Sequence, residues 1–500
     1  MPNVPDHDPR HKLSKAEFEA REPELRARIL AAQFALRKQE KPVIIIIGGL
    51  DGAGKGETVH RLNEWLDPRG VETHAFLGKT TEEEQRPRFW RYWMATPARG
   101  RIGIFFGSWY TGPILRRVNG TLNKADLADT LERTRRHETM LRDAGFVIVK
   151  IWLEVGRRTQ EKRYRRLIDG EDNRWRILPL DWEHYSKHEK FAAVAGQVIE
   201  ATSTDDNPWH VISARYTANR DIGVGEVLAM DLEAAVAEGT PKTATKPTAR
   251  RPGERTRLTV RNHLEGVNLD ATLEKKAYRQ RLSAAQDRLN GLMMRAWNER
   301  VPTVLVFEGW DAAGKGGAIR RMVNAVDPRL FRVVPIAAPT QEELDRHYLW
   351  RFWREIPQAG RMTVFDRSWY GRVLVERVEG FAADAEWRRA YGEINEFEAQ
   401  LIDHGIALGK FWLHISNAEQ EQRFERRTRI AWKRHKITDE DWRNRRKWDA
   451  YEDAVNDMIG LTSTDAAPWT LVAGNDKRYA RVQVVETACE LLERRLAKTR

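Results

Sequence analysis

The chain is written twice. GGLDGAGKG at Gly48–Gly56 returns as EGWDAAGKG at Glu308–Gly316, an offset of 260 residues. The offset then holds without slippage. Asp67-Pro-Arg69 pairs with Asp327-Pro-Arg329, Ser108-Trp-Tyr110 with Ser368-Trp-Tyr370, and Lys150-Ile-Trp-Leu153 with Lys410-Phe-Trp-Leu413. Thr202–Asp205 pairs with Thr462–Asp465, and Pro208-Trp209 with Pro468-Trp469. Solenoid units run only about 20–50 residues, so a repeat this long is a duplicated domain. The 500 residues therefore divide into a first domain over 1–238, a linker over 239–257 and a second domain over 258–500. The linker, GTPKTATKPTARRPGERTR, is rich in Pro, Thr and Arg and nearly devoid of large apolar residues, which reads as an exposed tether.

Composition bounds the classes. The single cysteine, Cys489, excludes an internal disulfide framework and fits a reducing compartment. The start, MPNVPDHDPRHKLSK, has no apolar core of a secretory signal. The longest apolar run, Val43–Ile47, is far short of the roughly 20 residues that span a bilayer. A soluble cytoplasmic protein without a membrane partner is expected. A net charge of +12 favours an anionic partner without saying which.

Within each copy the order is helix, strand, glycine loop, helix, strand. In the second copy, apolar residues at helical spacing (Leu282, Ala285, Leu289, Leu292, Met293, Trp297) predict a helix over 272–298 that leads into a strand over 303–307. Short strands are expected over 332–336, 362–365 and 408–415, with a closing helix over 479–496. Short apolar runs alternating with helices point to an α/β fold, a parallel sheet flanked by helices.

Three stations in the second copy carry chemistry. The first, Gly309–Gly316, is nearly the G-x-x-x-x-G-K-[ST] phosphate loop, but Gly316 stands where the magnesium-binding hydroxyl belongs. Gly309, Ala312, Gly314 and Gly316 let backbone N–H groups turn toward phosphates at a helix N-terminus, and Lys315 reaches phosphate oxygens. Asp311 inside the loop would repel phosphate unless a cation intervened, so it is expected to serve a metal. The second station is MTVFDRSWYGR. Asp366 ends a strand and suits a metal-binding carboxylate, while Arg367 and Arg372 offer planar forks to phosphate. Glu376 either contacts a nucleotide or metal, or pairs with Arg377 or a neighbour. The third is the basic segment 421–448, with Arg423, Arg427, Arg429 and Lys433, read as a lid that neutralises charge during phosphoryl transfer.

The set GWDAAGKGGAI, VFDRSWYGRVLVERVEGF, RFERRTRIAWK and PWTLVAGNDKRYAR resembles the family-2 polyphosphate kinases over residues 270–490, and more weakly over 15–222. The resemblance implies two tandem P-loop kinase-like domains with helical lids and dependence on magnesium or manganese. It also implies direct phosphoryl transfer between inorganic polyphosphate and a nucleotide. Asp311 and Asp366 would serve the metal, and Lys315, Arg367 and Arg427 the phosphates. The tandem arrangement resembles the class that converts AMP to ADP. A polyphosphate-dependent nucleoside diphosphate kinase is the alternative, ahead of an ATP-dependent small-molecule kinase or a nucleic-acid-binding P-loop protein. Nucleic acid is not an expected partner, because carboxylates at the centre of the site would repel its backbone. Self-association into a homo-oligomer is left open.

The first copy keeps its loop, with Asp51 and Lys55, but loses the partners. Phe106 replaces Asp366, Gly107 replaces Arg367, Gly112 replaces Arg372, Arg116 replaces Glu376, Leu167 replaces Arg427 and Asp169 replaces Arg429. Catalysis is therefore expected in the second copy. The first is left as a scaffold or a remnant binder of polyphosphate.

Overall fold

The computed structural model describes residues 11–169, 179–239, 258–259, 261–429 and 439–498. Lys433 and nearly all of the linker lie outside them. The chain forms two compact units, residues 1–79, 91–242 and 341–347 in one and residues 80–90, 243–340 and 348–500 in the other. The units thus depart from the sequence repeats at two short segments. Residues 80–90 count with the second unit, where Trp90 Nε1 donates to the Trp353 carbonyl at 3.0 Å. Residues 341–347 count with the first, where the Arg99 amide donates to the Asp345 carbonyl at 2.8 Å.

In the first unit, α1 (Lys15–Lys38) begins at a capping box formed by Ser14 and Glu17. Strands β1 (Val43–Gly49), β2 (Val71–Ala75), β3 (Ile102–Phe106), β4 (Val147–Glu154) and β5 (Trp209–Ser213) form a parallel sheet in the order β2-β3-β1-β4-β5. Val43–Ile47, the continuous apolar run, is the buried core of the central strand. A strand covered on both faces has no polar side, so it shows no alternation. Helix α2 (Lys55–Trp65) follows the glycine loop, α3 (Arg157–Asp169) follows β4, α4 (Pro179–Ser186) comes next, and α5 (Thr217–Ala237) closes the unit against α1.

The second unit repeats this plan. Helix α6 (Lys275–Asn298) precedes β6 (Thr303–Gly309) and α7 (Lys315–Val323). Strands β7 (Phe331–Pro335), β8 (Met362–Asp366), β9 (Ala407–His414) and β10 (Trp469–Ala473) complete a parallel sheet in the order β7-β8-β6-β9-β10. Helices α8 (Asn417–Arg429), α9 (Asp439–Arg446) and α10 (Trp448–Thr462) follow β9, and α11 (Lys477–Ala497) packs against α6. The four strands expected from the sequence are present to within two residues; β10 is a fifth that was not anticipated.

Each sheet is anchored by the same buried ion pair. Lys410 Nζ lies 2.7 Å from Glu398 and 2.6 Å from the Thr462 carbonyl, while Trp369 and Tyr370 donate to the other Glu398 oxygen. Lys150, Glu138, Thr202, Trp109 and Tyr110 reproduce the arrangement. Burial pushes the ammonium pKa down in both copies, against the pull of the glutamate. A buried pair that is kept where the second-station acid is lost belongs to the fold, and removing one partner would strand a charge. Lys150 and Lys410 thereby fix the segments that carry the second station in each repeat.

Candidate active site

The site forms at the C-terminal ends of β6 and β8, where strand order reverses and ligands bind in open α/β sheets. Register places Phe307 beside Asp366 and Gly309 beside Leu413. Gly309 has φ +148°, and a Cβ there would lie 2.6 Å from the Leu413 carbonyl oxygen, so only glycine lets the loop leave the strand. Gly314, at φ +113°, opens α7. Lys315 Nζ folds back on the Gly309 carbonyl at 2.7 Å, holding the ammonium over the loop.

Asp311 and Arg367 meet across the site, Oδ1 to Nη2 at 3.3 Å. The other Asp311 oxygen accepts from Asn444 Nδ2 of α9 at 3.0 Å. The missing hydroxyl has a spatial answer. A Cβ on Gly316 would lie 3.9 Å from Asp366 Oδ2, so the position that carries Ser or Thr in the usual motif faces this carboxylate. Asp366 and Asp311 are oxygen donors beside a phosphate loop. Among the described residues there is no group of three or more His, Cys, Asp or Glu side chains able to cage a metal. Two carboxylates beside a phosphate loop suit magnesium, which takes the rest of its shell from phosphate oxygens and water.

Arg367 has φ +66°, the left-handed region that side chains other than glycine avoid. Its counterpart Gly107 has φ +78°. The turn after β3 and β8 is thus built for glycine, and the second repeat holds an arginine there against a backbone cost of about 1 kcal/mol.

The remaining expected residues divide. Arg427 is half-buried, and burial pushes its pKa down against the charges of Asp441 and Asp311. Arg423 is buried, and all five of its guanidinium N–H groups are engaged, by Glu419 and by the carbonyls of Ala312, Ala313, Gly474 and Asn475. It ties the loop to the turn after β10 and offers a phosphate its charge rather than hydrogen bonds. Arg163 repeats the tie in the first unit through Gly52 and Ala214. Glu376 pairs with Arg372 at 3.2 Å. Arg377, its other candidate partner, turns instead to buried Asp457 at 2.9 Å. Arg429 is exposed and reaches Glu425.

Three features escaped the sequence reading. Glu308 is buried and accepts from Ser368 Oγ at 2.8 Å; burial raises its pKa, opposed by Lys315 and Arg367 and reinforced by Asp366. Its signal was an acid at the end of an apolar run, set against Gly48 in the first copy. Asn444 could not be assigned because its contact crosses 133 residues. Lys477 and Arg481 join Gly314, Gly317, Arg426 and Arg427 around a cavity of about 230 Å³ beside the loop. Burial and the neighbouring arginines push the Lys477 pKa down to about 8.

The family model for polyphosphate kinase 2 matches residues 12–239 and 272–500. The chain belongs to the polyphosphate kinase 2 family. It is 46% identical over 488 residues to the polyphosphate:AMP phosphotransferase of Pseudomonas aeruginosa, covering 97% of each chain. A crystal structure from Pseudomonas aeruginosa PA01, described as polyphosphate kinase 2, superposes with a TM-score of 0.87 at 45% identity over 98% of both chains. The ADP-polyphosphate phosphotransferase 3 of Rhizobium meliloti is 40% identical over 210 residues, 42% of this chain and 73% of that one. This polyphosphate kinase 2 chain thus carries the family's fold twice. Only its second copy brings an acid and an arginine at the end of β8 to the phosphate loop. Among the described residues no helix is long and apolar enough to cross a membrane.

Proposed function

We propose that the second repeat transfers the terminal phosphoryl group of inorganic polyphosphate to the phosphate of AMP, giving ADP and a chain shortened by one phosphate. The observation that carries this reading is the cationic cavity of Lys477, Arg481, Arg426 and Arg427 opening onto the glycine loop that holds Lys315. A polyanion needs such a track; a single nucleotide donor needs less of one. The tandem relative named for the AMP reaction, matched end to end, favours AMP as acceptor.

The acceptor oxygen is already anionic, so attack on phosphorus needs no strong general base. The protein's part is to position donor and acceptor in line and to offset charge on the transferred group. Loop amides and Lys315 hold the donor's terminal phosphate. Arg367, set by its bond to Asp311, and Arg427 face the developing charge. Asp366 and Asp311 would hold magnesium, which supplies charge neutralisation on the phosphate oxygens when bound. The sole cysteine is buried, in keeping with a cytoplasmic enzyme.

The test supplies purified protein with polyphosphate and magnesium, no ATP, and AMP, ADP, GMP or GDP in turn. ADP from AMP is expected, with turnover nearly abolished in Asp366→Asn and Lys315→Ala. Product only when ATP is added, or normal turnover in Asp366→Asn, would overturn the reading. Preference for ADP over AMP would favour the diphosphate kinase alternative, which the Rhizobium relative supports.

A further inference from the structure

The two repeats also differ where the helix after the last strand meets the loop. In the second unit Ala480, one turn into α11, lines the cavity with Gly314, Gly317, Lys477 and Arg481. A Cβ on Gly314 would meet nothing nearer than an Arg423 nitrogen at 4.0 Å. In the first unit the offset puts Glu57, Thr217, Arg220 and Asp221 at the positions of Gly317, Lys477, Ala480 and Arg481. Arg220 is buried, and Asp221 holds its Nε at 2.9 Å and its Nη2 at 2.8 Å. Its Nη1 presses on the loop so closely that a Cβ on Gly54 would collide with it, and the same nitrogen lies 4.0 Å from Glu57. The guanidinium lies against the loop glycine that borders the open cavity in the second unit.

The plug is also held by ion pairs. Asp221 takes a second arginine, Arg61, at 3.4 Å. On the other side of the loop Lys55 is tied to Asp51 at 2.9 Å, and Asp51 to His184 of α4 at 2.6 Å. The first loop's lysine is thus satisfied by the loop's own acid, whereas Lys315 bonds only carbonyls among the described residues.

We propose that position 480 is the gate to the donor's second phosphate subsite: Ala480 leaves it open in the second repeat, and Arg220 closes its counterpart so that the first repeat holds no polyphosphate. This rests on polyphosphate being the donor. Phosphates beyond the transferred one occupy the Lys477–Arg481 cavity, and a side chain grown from position 480 displaces them. Such a residue governs donor affinity and leaves the acceptor alone.

The experiment uses the full chain. KM for polyphosphate and for AMP is measured for the wild type, Ala480→Arg and Ala480→Met, with melting temperatures alongside. Inorganic tripolyphosphate is titrated calorimetrically into the wild type and Lys55→Ala. Ala480→Arg is expected to raise KM for polyphosphate by about tenfold or more, the size of losing one well-placed charged contact, with KM for AMP within about twofold. Should the arginine variant melt early, Ala480→Met fills the same space without charge and carries the test, with the same direction expected. Tripolyphosphate should bind at one site per chain in both proteins. Unchanged polyphosphate KM in a folded position-480 variant overturns the gate. So does a second tripolyphosphate site that disappears in Lys55→Ala. A wild type that makes no ADP from AMP sinks the functional reading instead, while the tripolyphosphate stoichiometry still decides whether the first loop is closed.

Discussion

The indole of Trp310, inside the phosphate loop, lies face to face with that of Trp448 at the start of α10, ring centroids 3.8 Å apart and planes within 10°. The loop is thereby fastened to the start of α10. In the first repeat the two positions are Leu50 and His188, and His188 bonds Gln160 instead.

Trp448→Ala should therefore destabilise the second unit by roughly 1–3 kcal/mol, the range for a half-buried aromatic partner, and lower kcat by loosening the loop. Trp448→Phe should retain most of both. Urea unfolding and steady-state rates on the two variants check this; wild-type stability in the alanine variant would show the stack to be idle.

Much of this was legible in the sequence, for identifiable reasons. The offset of 260 exposed the duplication, and continuous apolar runs such as Val43–Ile47 marked parallel strands because both faces are covered. Asp311 stood out as a carboxylate inside a phosphate loop, and Asp366 and Arg367 stood out further because the first copy, with Phe106 and Gly107 there, supplied a built-in comparison. What the sequence did not disclose depends on folding distant segments together. Asn444 reaches Asp311 across 133 residues, and the engagement of all five Arg423 N–H groups is invisible to charge counting. Arg220 as a plug looked like one more basic residue at the start of α5.

Lys477 gives the site a pH dependence. Its pKa, lowered to about 8 by burial and by Arg423, Arg426 and Arg427, means the ammonium is lost as pH rises through 8, well below the ordinary lysine range. A polyanion beside it favours the charged form, so donor binding takes up a proton above that pH. KM for polyphosphate should rise between about pH 7.5 and 9 while KM for AMP stays flat. Lys477→Arg, which stays charged, should flatten the rise. A rise of equal size in the arginine variant would place the titration elsewhere.

His414 sets a second dependence, on stability. Burial lowers its pKa from the ordinary 6.5 to about 4, and its Nδ1 accepts from Trp310 Nε1 at 3.0 Å, which requires that nitrogen to be unprotonated. The unfolded chain binds a proton that the folded one refuses, so stability is full above about pH 6.5 and falls as pH drops toward 4. At pH 5 the deficit from this group is about 2 kcal/mol. Denaturant unfolding of wild type and His414→Gln at pH 7 and pH 5 isolates it: the variant should lose less than the wild type on acidification. Equal losses would assign the pH effect to carboxylates.

Arg367 offers the sharpest separation of function from fold. Its backbone is left-handed at φ +66°, where Gly107 of the first repeat sits at +78°, so the substitution Arg367→Gly restores the residue the turn prefers. The lost bond to Asp311 is at a half-exposed guanidinium and contributes little to stability. Stability should therefore be kept or rise by up to about 1 kcal/mol. Turnover should fall by about 10³-fold or more, as for other arginines that face a transferring phosphoryl group. A drop in kcat with an unchanged or higher melting temperature would identify Arg367 as a residue kept for chemistry against the preference of its own backbone. A loss of stability with kcat intact would instead make it structural, and would leave Lys315 and Arg427 to carry the charge.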